Sequence, residues 1–495
     1  MADEDAFTQA RGCFEEMLGW LEGTESAQLS HADLEDEIVR RGREAQRLAF
    51  QDHLDLRALR ERRVRVVDAQ GVAHGAVEAA HRRQLQTVVG AVGVERLAYR
   101  HVKSANLHPA DAALNLPDQL HSHGLRRLAA VESTRGSFDD ASQALERATG
   151  VAVAKRQVEY LTSRAAQDVE RFYETREHTD VDDADALVIS ADGKGIVMRP
   201  DSLREQTAKA AAAATNKLTT RLSKGEKRNR KRMAEVGAVY DVTPVLRTPH
   251  DVMASKTGED PSPEAPKAKN KWLTASVVED AAEVVGRLFD EAERRDPGHK
   301  RRWVALVDGN NHQIDRIGAE ARARGVEVAI VVDLVHVLEY LWAAAWCFFA
   351  EGDTAAEEWV RDRALSVLQG RAREVASGIY RRATAEGLAT SKRKKADEAA
   401  RYLKNKAPHL DYPTALSSGW PIATGVIEGA VRHVVRDRMD ITGARWSADG
   451  AEAVLKLRAI RANGDFDDYW RFHLFREHER VHRSRYANNV IPRAA

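Results

Sequence analysis

Two nearly continuous apolar runs, separated by an amphipathic segment and each ending in an aspartate, constrain the fold most strongly. The run "RWVALVDGN" reaches Asp308, and the run "VEVAIVVDLVH" reaches Asp333. The segment between them, "HQIDRIGAEARARG", has helical character. This strand, helix and strand arrangement is typical of a parallel sheet that is buried on both faces. A third strand is predicted over Leu187 to Ala191, immediately before Asp192. The sequence therefore predicts an α/β fold.

The rest of the chain alternates between helical and strand-like regions. Apolar residues recur at helical spacing from Asp5 to about Arg60, and alternation punctuated by glycine indicates a small antiparallel sheet over residues 63–103. The segment "EVGAVYDVTPVLRT" is strand-like, "TGEDPSPEAPKAKNKW" is predicted as a loop, and "SVVEDAAEVVGRLFDEAERR" is helical. We divide the chain into a helical region 1–62, a sheet and helix-turn-helix-like region 63–180, a first core part 181–336, a helical insertion 337–418, and closing helices with a tail 419–495.

Composition limits the function only weakly. The 495 residues suffice for roughly three domains. Lys+Arg and Asp+Glu both total 76, so only the local distribution of charge is informative. Lys217 to Met233 contains eight basic residues and one acidic residue. We favour phosphate contact for this segment over a solvated charged helix, through Lys227, Arg228, Arg230, Lys231 and Arg232.

Cysteine content and hydropathy favour a cytoplasmic protein. Cys13 and Cys347 are the only cysteines, which argues against a disulfide framework or a zinc finger built on paired cysteines. The N-terminus lacks the pattern of a signal peptide. Asp333, His336 and Glu339 interrupt the most apolar region, so no membrane span is predicted.

Residues 137 to about 172 have the pattern of a helix-turn-helix. Ser137 is suited to cap a helix that runs to Thr149, and Gly150 is suited to end it. A second helix follows after a short turn, with Lys155 and Arg156 at its start, where a recognition helix would meet DNA. An ordinary helical hairpin is the alternative, and the spacing alone leaves both open.

The strand-end aspartates suggest a metal site. Functional groups collect at the carboxyl ends of parallel strands, and clustered carboxylates repel one another unless a cation lies among them. Mg²⁺ is the natural candidate, with Mn²⁺ as an alternative, and Glu428 on a distant helix would complete the ligand set. Arg432 and Arg436 are predicted on the same helix face, available to DNA phosphates. A turn-forming Asp-Gly pair and an ordinary surface pair of Glu428 with Arg432 are the structural alternatives.

Four segments together resemble the DDE transposases of bacterial insertion sequences, most closely the ISKra group. They are "VISADGKGIVMR", "WVALVDGNNHQ", "IVVDLVHVLEYLW" and "GVIEGAVRHVVRDRMDITGARWSADGAEAVLKLRA", and the similarity runs from about Arg82 to Ala462. The resemblance implies an RNase H-like mixed sheet with a helical insertion. It also implies that Asp192, Asp308 and Glu428 are the catalytic and metal-binding acids. Asp308 lies 116 positions after Asp192, and Glu428 lies 120 positions after Asp308.

Three further features carry secondary predictions. The pair Asp333 and His336 resembles a D/C-x-x-H signature of several DDE families, although Asp333 could equally cap the helix that begins near Leu334. Trp446 could stack on an unpaired base, but a core position is favoured. The N-terminal region lacks the cysteine pairs of many family members, so recognition of element ends would depend on the helix-turn-helix candidate and the small sheet.

The resemblance implies a function and partners. The expected activity is metal-dependent cleavage at the ends of a mobile element, followed by strand transfer into target DNA. The expected partners are double-stranded DNA, comprising terminal inverted repeats and a target, and further copies of the chain in a homodimer or larger oligomer. The expected location is the bacterial cytoplasm at the nucleoid. An RNase H-like nuclease without strand transfer and an inactive, transposase-derived DNA-binding regulator are the alternatives.

Overall fold

The computed structural model describes residues 6–176, 183–213, 230–254 and 263–493. It has a mixed α/β architecture with one two-stranded and one five-stranded sheet. The chain forms two compact units, Met1–Thr175 with Gly464–Ala495, and Arg176–Asn463. Within the described ranges, no helix is both long enough and apolar enough to cross a membrane.

The first unit is mostly helical and contains one antiparallel hairpin. Its helices are α1 (Thr8–Leu21), α2 (Thr24–Ala27), α3 (His31–Arg60), α4 (Pro109–Ala113), α5 (His123–Ser133), α6 (Phe138–Thr149), α7 (Lys155–Ala165), α8 (Val169–Thr175) and a C-terminal helix (Phe466–Val481). Strands β1 (Ala76–Thr87) and β2 (Gly90–Arg100) pair antiparallel. A two-stranded antiparallel sheet therefore lies within residues 63–103, where a small antiparallel sheet was predicted.

Helix α6 has the capping residues that the sequence indicated, and helix α7 begins where the sequence placed it. Ser137 and Asp140 form a capping box at the start of α6, each side chain accepting from the other residue's backbone N–H. Gly150 ends the helix with a φ of 72°, a left-handed conformation that glycine adopts without strain. Helix α7 begins at Lys155, and both α6 and α7 pack on α5. The predicted bounds of α6 and the start of α7 are confirmed, whereas α7 ends at Ala165 and a separate helix, α8, covers Val169–Thr175.

The C-terminal helix joins the first unit through buried charges. The Glu477 carboxylate is 1% exposed and accepts from Arg126 and Arg480 at 3.1 and 2.7 Å. Asp168 accepts from both Arg480 and His473. The sequence division had grouped residues 464–495 with the closing helices of the core, because the periodicity of a helix does not identify the elements that it packs against.

Partly buried histidines make the first unit sensitive to acid. Burial lowers the pKa of His108 and of His123 to about 4, whereas the unfolded value is about 6.5. As the pH falls through 6.5, the unfolded chain binds protons that the folded unit does not bind, so the free energy of unfolding falls. We expect a loss of about 1–2 kcal/mol per histidine between pH 7 and pH 5, measured by urea unfolding. The double variant His108→Gln/His123→Gln should show a flatter pH profile over this range, and an equally steep one would contradict the assignment.

The second unit is a sheet with helices between and after its strands. The strands are β3 (Ala186–Val197), β4 (Lys231–Val242), β5 (Ala268–Ser276), β6 (Trp303–Val307) and β7 (Val328–Val332). The helices are α9 (Glu205–Ala213), α10 (Pro249–Met253), α11 (Ala281–Arg295), α12 (Asn311–Arg324), α13 (Leu334–Ala345), α14 (Ala355–Leu368), α15 (Ala372–Ala385), α16 (Thr390–Lys406), α17 (Tyr412–Ser417), α18 (Gly425–Ala430), α19 (Asp437–Met439) and α20 (Ala448–Ala462). A π-helix, Val431–Arg436, joins α18 to α19.

The strand order is β5-β4-β3-β6-β7. Strands β3, β4 and β5 are antiparallel, while β3, β6 and β7 are parallel. The predicted parallel strands around Asp308 and Asp333 are confirmed, and so is the helical content of residues 337–406. Helix α11 covers one face, where Leu288 packs so closely over Gly237 that a Cβ at that position would lie 2.5 Å from it.

Two strand predictions were wrong in detail. Strand β3 does not end at Ala191 but continues to Val197, because every residue of that extension pairs with β4. Strand β5 lies partly in the segment predicted as a loop. It is an edge strand, and Lys269 and Lys271 alternate along it with apolar or smaller residues. Charged edge strands of this kind prevent pairing with other chains but lack a strong apolar signal.

Candidate active site

Three aspartates lie in one row across neighbouring strands. Ile189 of β3 is in register with Ala305 of β6, and each strand reaches its aspartate three positions later. Val307 is in register with Val332 of β7, and Asp308 and Asp333 follow them directly. Asp192, Asp308 and Asp333 therefore share one level of the sheet, which brings their backbones close together.

The expectation that Asp192 follows the end of its strand was wrong, since it lies inside β3 opposite Val236. Asp192 nevertheless lies level with the end of β6, as predicted, because β6 stops at this level of the sheet whereas β3 continues past it. The Asp192 side chain is partly buried, and its Oδ1 accepts from the Gly193 N–H at 2.6 Å.

The charges of the other two predicted acids affect the pKa of Asp192. Burial is the largest cause of a raised pKa for Asp192, and the charges of Asp308 and Glu428 raise the pKa further. The Gly193 N–H and the nearby His336 act in the opposite direction. Asp192, Asp308 and Glu428 therefore occupy one electrostatic environment, in which negative charge is incompletely compensated.

Asp333 is fully buried and caps a helix. Its Oδ1 accepts from the Val335 N–H at 2.8 Å at the start of α13, and its Oδ2 accepts from the Thr424 hydroxyl. The helix-capping alternative for Asp333 is therefore confirmed. The capping contact does not exclude a second role, because each carboxylate oxygen can accept more than one contact.

Thr424 links Asp333 to Glu428. The Thr424 hydroxyl lies 3.4 Å from Glu428 Oε1, one turn before Glu428 on the segment that leads into α18. The Glu428 side chain is exposed. The Thr424 hydroxyl, the buried Asp333 carboxylate and the exposed Glu428 carboxylate thus form a short polar chain between α18 and the end of β7.

The π-helix follows this segment directly. Arg458 of α20 donates to the carbonyl oxygens of His433 and Val434, at 2.8 Å for Val434. These contacts satisfy backbone oxygens in the irregular turn. Short π-helical segments occur frequently at functional sites because they redirect side chains within a helix.

One group of side chains has the geometry of a cation site. Asp333, His336 and Glu428 each offer a ligand atom, and these atoms lie within 4.8 Å of one another. His336 Nδ1 lies 3.1 Å from Glu339 Oε2, a contact that can orient the imidazole ring. Among the described residues this group does not include Asp192 or Asp308, but the charge of Glu428 also raises the pKa of Asp192. The donors fit a divalent cation, because oxygen ligands predominate and because the charges of Asp308 and Glu428 add to the effect of burial in raising the pKa of Asp192.

Two arginines extend beyond Glu428 on the exposed side of the helix. Arg432 and Arg436 lie on the π-helix, and both side chains are exposed. No acceptor among the residues that the structure describes forms an ion pair with either guanidinium, and the surface pair of Glu428 with Arg432 is not formed. Both cations are therefore available to an anionic ligand.

The predicted basic segment is only partly described. Lys227 and Arg228 lie outside the described residues, and Arg230 precedes β4. Lys231 lies 3.6 Å from Asp440, and Arg232 donates to the Val278 carbonyl at 3.0 Å. The structure thus gives Lys231 and Arg232 partners within the protein.

Trp446 occupies the core. It is 4% exposed, its Nε1 donates to the Met439 carbonyl at 3.1 Å, and Arg438 packs over its ring at 4.6 Å. The favoured core position is confirmed, and the proposed stacking of Trp446 on a base was wrong, because neither ring face is open. In the first unit, Lys155 and Arg156 are exposed at the start of α7, as predicted for that helix.

Sequence reasoning missed Thr424 and two residues of α16, Tyr402 and Lys406, which contact the segment after β6. A hydroxyl or an amine on a helical segment gives no sequence signal of its distant partner. Comparison with known proteins brings no further residue to the site: no family model matches this chain, and no curated protein matches it.

Proposed function

We propose that this chain is a DDE transposase, which cleaves DNA at the ends of a mobile element and transfers the cut strand into a target duplex. The observation that carries the proposal is the alignment of Asp192 and Asp308 at one level of two neighbouring strands, with Glu428 close enough for its charge to raise the pKa of Asp192. These three acids are separated by 116 and 120 positions in the chain. They are also the positions at which the sequence resembles the catalytic acids of that family.

The sheet supports an RNase H-like fold for the second unit. Three antiparallel strands are followed by two that run parallel to the first of them. Asp192 lies on the central strand β3, and Asp308 directly follows the neighbouring strand β6. Helices α14 to α17 lie between β7 and Glu428, which supports the helical insertion that the resemblance implies.

The donor set supports a divalent cation, with Mg²⁺ the first candidate and Mn²⁺ the second. Asp192, Asp308 and Glu428 would hold it, and Asp333 and His336 lie next to the same position. A bound divalent ion would supply Lewis acidity toward a phosphodiester and a nucleophile at neutral pH. The histidine favours Mn²⁺ more than Mg²⁺, since imidazole is a softer ligand than carboxylate.

The exposed cations support double-stranded DNA as the partner. Arg432 and Arg436 lie on the π-helix that directly follows α18, the helix that carries Glu428, so a bound phosphate backbone would pass close to the acids. The helix-turn-helix of α6 and α7 would bind a terminal repeat through Lys155 and Arg156. Two element ends require two active sites, so we propose a homodimer or larger oligomer that acts on the nucleoid.

Removing the two π-helix arginines should weaken DNA binding in a salt-dependent way. For Arg432→Ala/Arg436→Ala, we expect the slope of log K against log salt concentration to become shallower by about 1.8, because two phosphate contacts are lost. The slope is measured by fluorescence anisotropy of a labelled duplex in about 50 to 300 mM KCl, where the affinity depends strongly on salt.

The matched control is Arg371→Ala/Arg373→Ala, two arginines at the start of α15. This variant should keep the wild-type slope. An unchanged slope in the π-helix variant would remove Arg432 and Arg436 from the DNA-binding surface.

The direct test uses the full chain with DNA from both flanks of its own gene. Labelled duplexes are incubated with Mg²⁺ or Mn²⁺, and new 3′ ends and joined products are mapped at nucleotide resolution. Metal-dependent cuts at a repeated terminus, followed by joining to a second duplex, are the expected result.

The other outcomes separate the alternatives. Cutting without joining would favour an RNase H-like nuclease. Binding without cutting under every metal condition would contradict the proposal and favour a DNA-binding regulator.

A further inference from the structure

Helix α16 contacts the catalytic strand ends at two points. Tyr402 donates its hydroxyl to the backbone carbonyl of Asp308 at 3.1 Å. One turn later, the Lys406 amine donates to the side chain of Asn311, the first residue of α12. Both contacts fall within the four residues that begin at Asp308.

The Tyr402 side chain is itself fixed. Its ring stacks on Tyr340 of α13 with a centroid distance of 3.9 Å and an interplanar angle of 16°. Because α13 begins at the cap formed by Asp333, the tyrosine stack connects α16 to both aspartate-bearing strand ends. This half-buried stack restricts the ring and therefore holds the hydroxyl in one position.

The segment after Asp308 has a shape that accepts Tyr402. Gly309 has a φ of 91°, a conformation that favours glycine, and a Cβ at this position would lie 2.6 Å from the Tyr402 hydroxyl. The Asp308 Oδ1 accepts from the Asn310 N–H at 2.7 Å, so the carboxylate is oriented by the same turn. Displacing this turn would move the carboxylate directly.

A second tyrosine repeats the arrangement on the neighbouring strand. Tyr412, the first residue of α17, is fully buried and donates to the carbonyl of Val332 at 2.8 Å. Val332 is the last residue of β7 and immediately precedes Asp333. A tyrosine of the helical segment therefore donates to a backbone carbonyl at the end of each parallel strand, Asp308 directly after β6 and Val332 at the end of β7.

We infer that Tyr402 and Lys406 are positioning residues that brace the Asp308 turn, so that the helical insertion determines how well the site holds its cation. The inference rests on the proposed function. The structure assigns to α16 a role in the geometry of the acids, in addition to any contact of the insertion with DNA.

The test compares Tyr402→Phe with the matched control Tyr340→Phe in the full chain. Both variants keep the aromatic stack, but only Tyr402→Phe removes the donor to Asp308. Mn²⁺ binding without DNA, measured by electron paramagnetic resonance, should weaken about 10-fold in Tyr402→Phe, as is usual when a partner of a ligand is lost. Tyr340→Phe should bind Mn²⁺ as the wild type does.

DNA cleavage provides the second readout. The Mn²⁺ concentration for half-maximal cleavage should rise by the same factor in Tyr402→Phe, and saturating Mn²⁺ should restore the rate. Lys406→Met should shift the metal dependence in the same direction. A purely structural effect would lower the rate at every metal concentration and would leave the half-maximal concentration unchanged.

Failure of this inference can be distinguished from failure of the proposed function. Wild-type Mn²⁺ affinity and metal dependence in Tyr402→Phe, beside an active wild type, would overturn this inference alone. A wild type that neither binds Mn²⁺ nor cuts DNA would overturn the proposed function and this inference with it.

Discussion

Asp308→Asn is expected to abolish DNA cleavage while leaving DNA binding and folding intact. The substitution removes a charged ligand from the group that includes Asp192 and Glu428. We expect the rate to fall at least about 10³-fold, equivalent to roughly 4 kcal/mol of transition-state stabilisation. The asparagine Oδ1 can still accept from the Asn310 N–H, so the turn after β6 keeps its hydrogen bond.

The same substitution should not destabilise the protein without metal. The charge of Asp308 raises the pKa of Asp192, so removing that charge relieves repulsion between carboxylates. We expect the Tm of Asp308→Asn without metal to equal or exceed that of the wild type, and the Tm increase caused by Mn²⁺ to be lost. Differential scanning fluorimetry with and without Mn²⁺ measures both.

The control for this prediction is Asp315→Asn, an exposed aspartate on α12. It should cut DNA and respond to Mn²⁺ as the wild type does. Wild-type cleavage by Asp308→Asn would contradict the assignment of the three acids, whatever the behaviour of the control.

The sequence predicted the parallel strands because continuous apolar runs are easily recognised, although only β6 is buried throughout and the edge strand β7 is half-buried before Val331. Strands β6 and β7 are short apolar runs, and their ends fall at Asp308 and Asp333 as expected. Strand β5 escaped prediction because an edge strand that carries lysines resembles a loop in composition. The extension of β3 through Asp192 and two glycines depends on pairing with β4, which local sequence does not reveal.

For the site, the sequence predicted the acids but not their supports. Asp308 and Glu428 were selected because carboxylates at strand ends and on a charged helix suggest a metal site, and because the resemblance to the transposase family falls on these positions. Thr424, Tyr402 and Lys406 were missed because their roles depend on contacts with residues 91, 94 and 95 positions away. The π-helix after Glu428 was also missed, because it differs from an α-helix by one hydrogen-bond register rather than by composition.

Glu477→Gln is expected to destabilise the first unit by about 3 kcal/mol, because it removes the closer counter-charge of the buried Arg126, which keeps only Asp118 at 3.4 Å. Glu477 and Arg126 are 1% and 2% exposed, and Arg164 and Gln167 also contact the carboxylate. A glutamine has one acceptor oxygen in place of two and presents an amide N–H to a guanidinium. The Tm of this unit should fall by roughly 10 °C in differential scanning calorimetry.

The matched control is Glu479→Gln, two positions later on the same helix. Glu479 pairs with Arg476 at 2.8 Å, but both side chains are at least one-third exposed. Solvent screens such a pair, so its loss should cost less than about 1 kcal/mol. The difference between the two variants isolates burial, since both remove one negative charge from the same helix. Equal Tm values for them would mean that the C-terminal helix does not depend on Glu477 for its place in the first unit, and that apolar contacts such as those of Tyr469 and Trp470 hold it there instead.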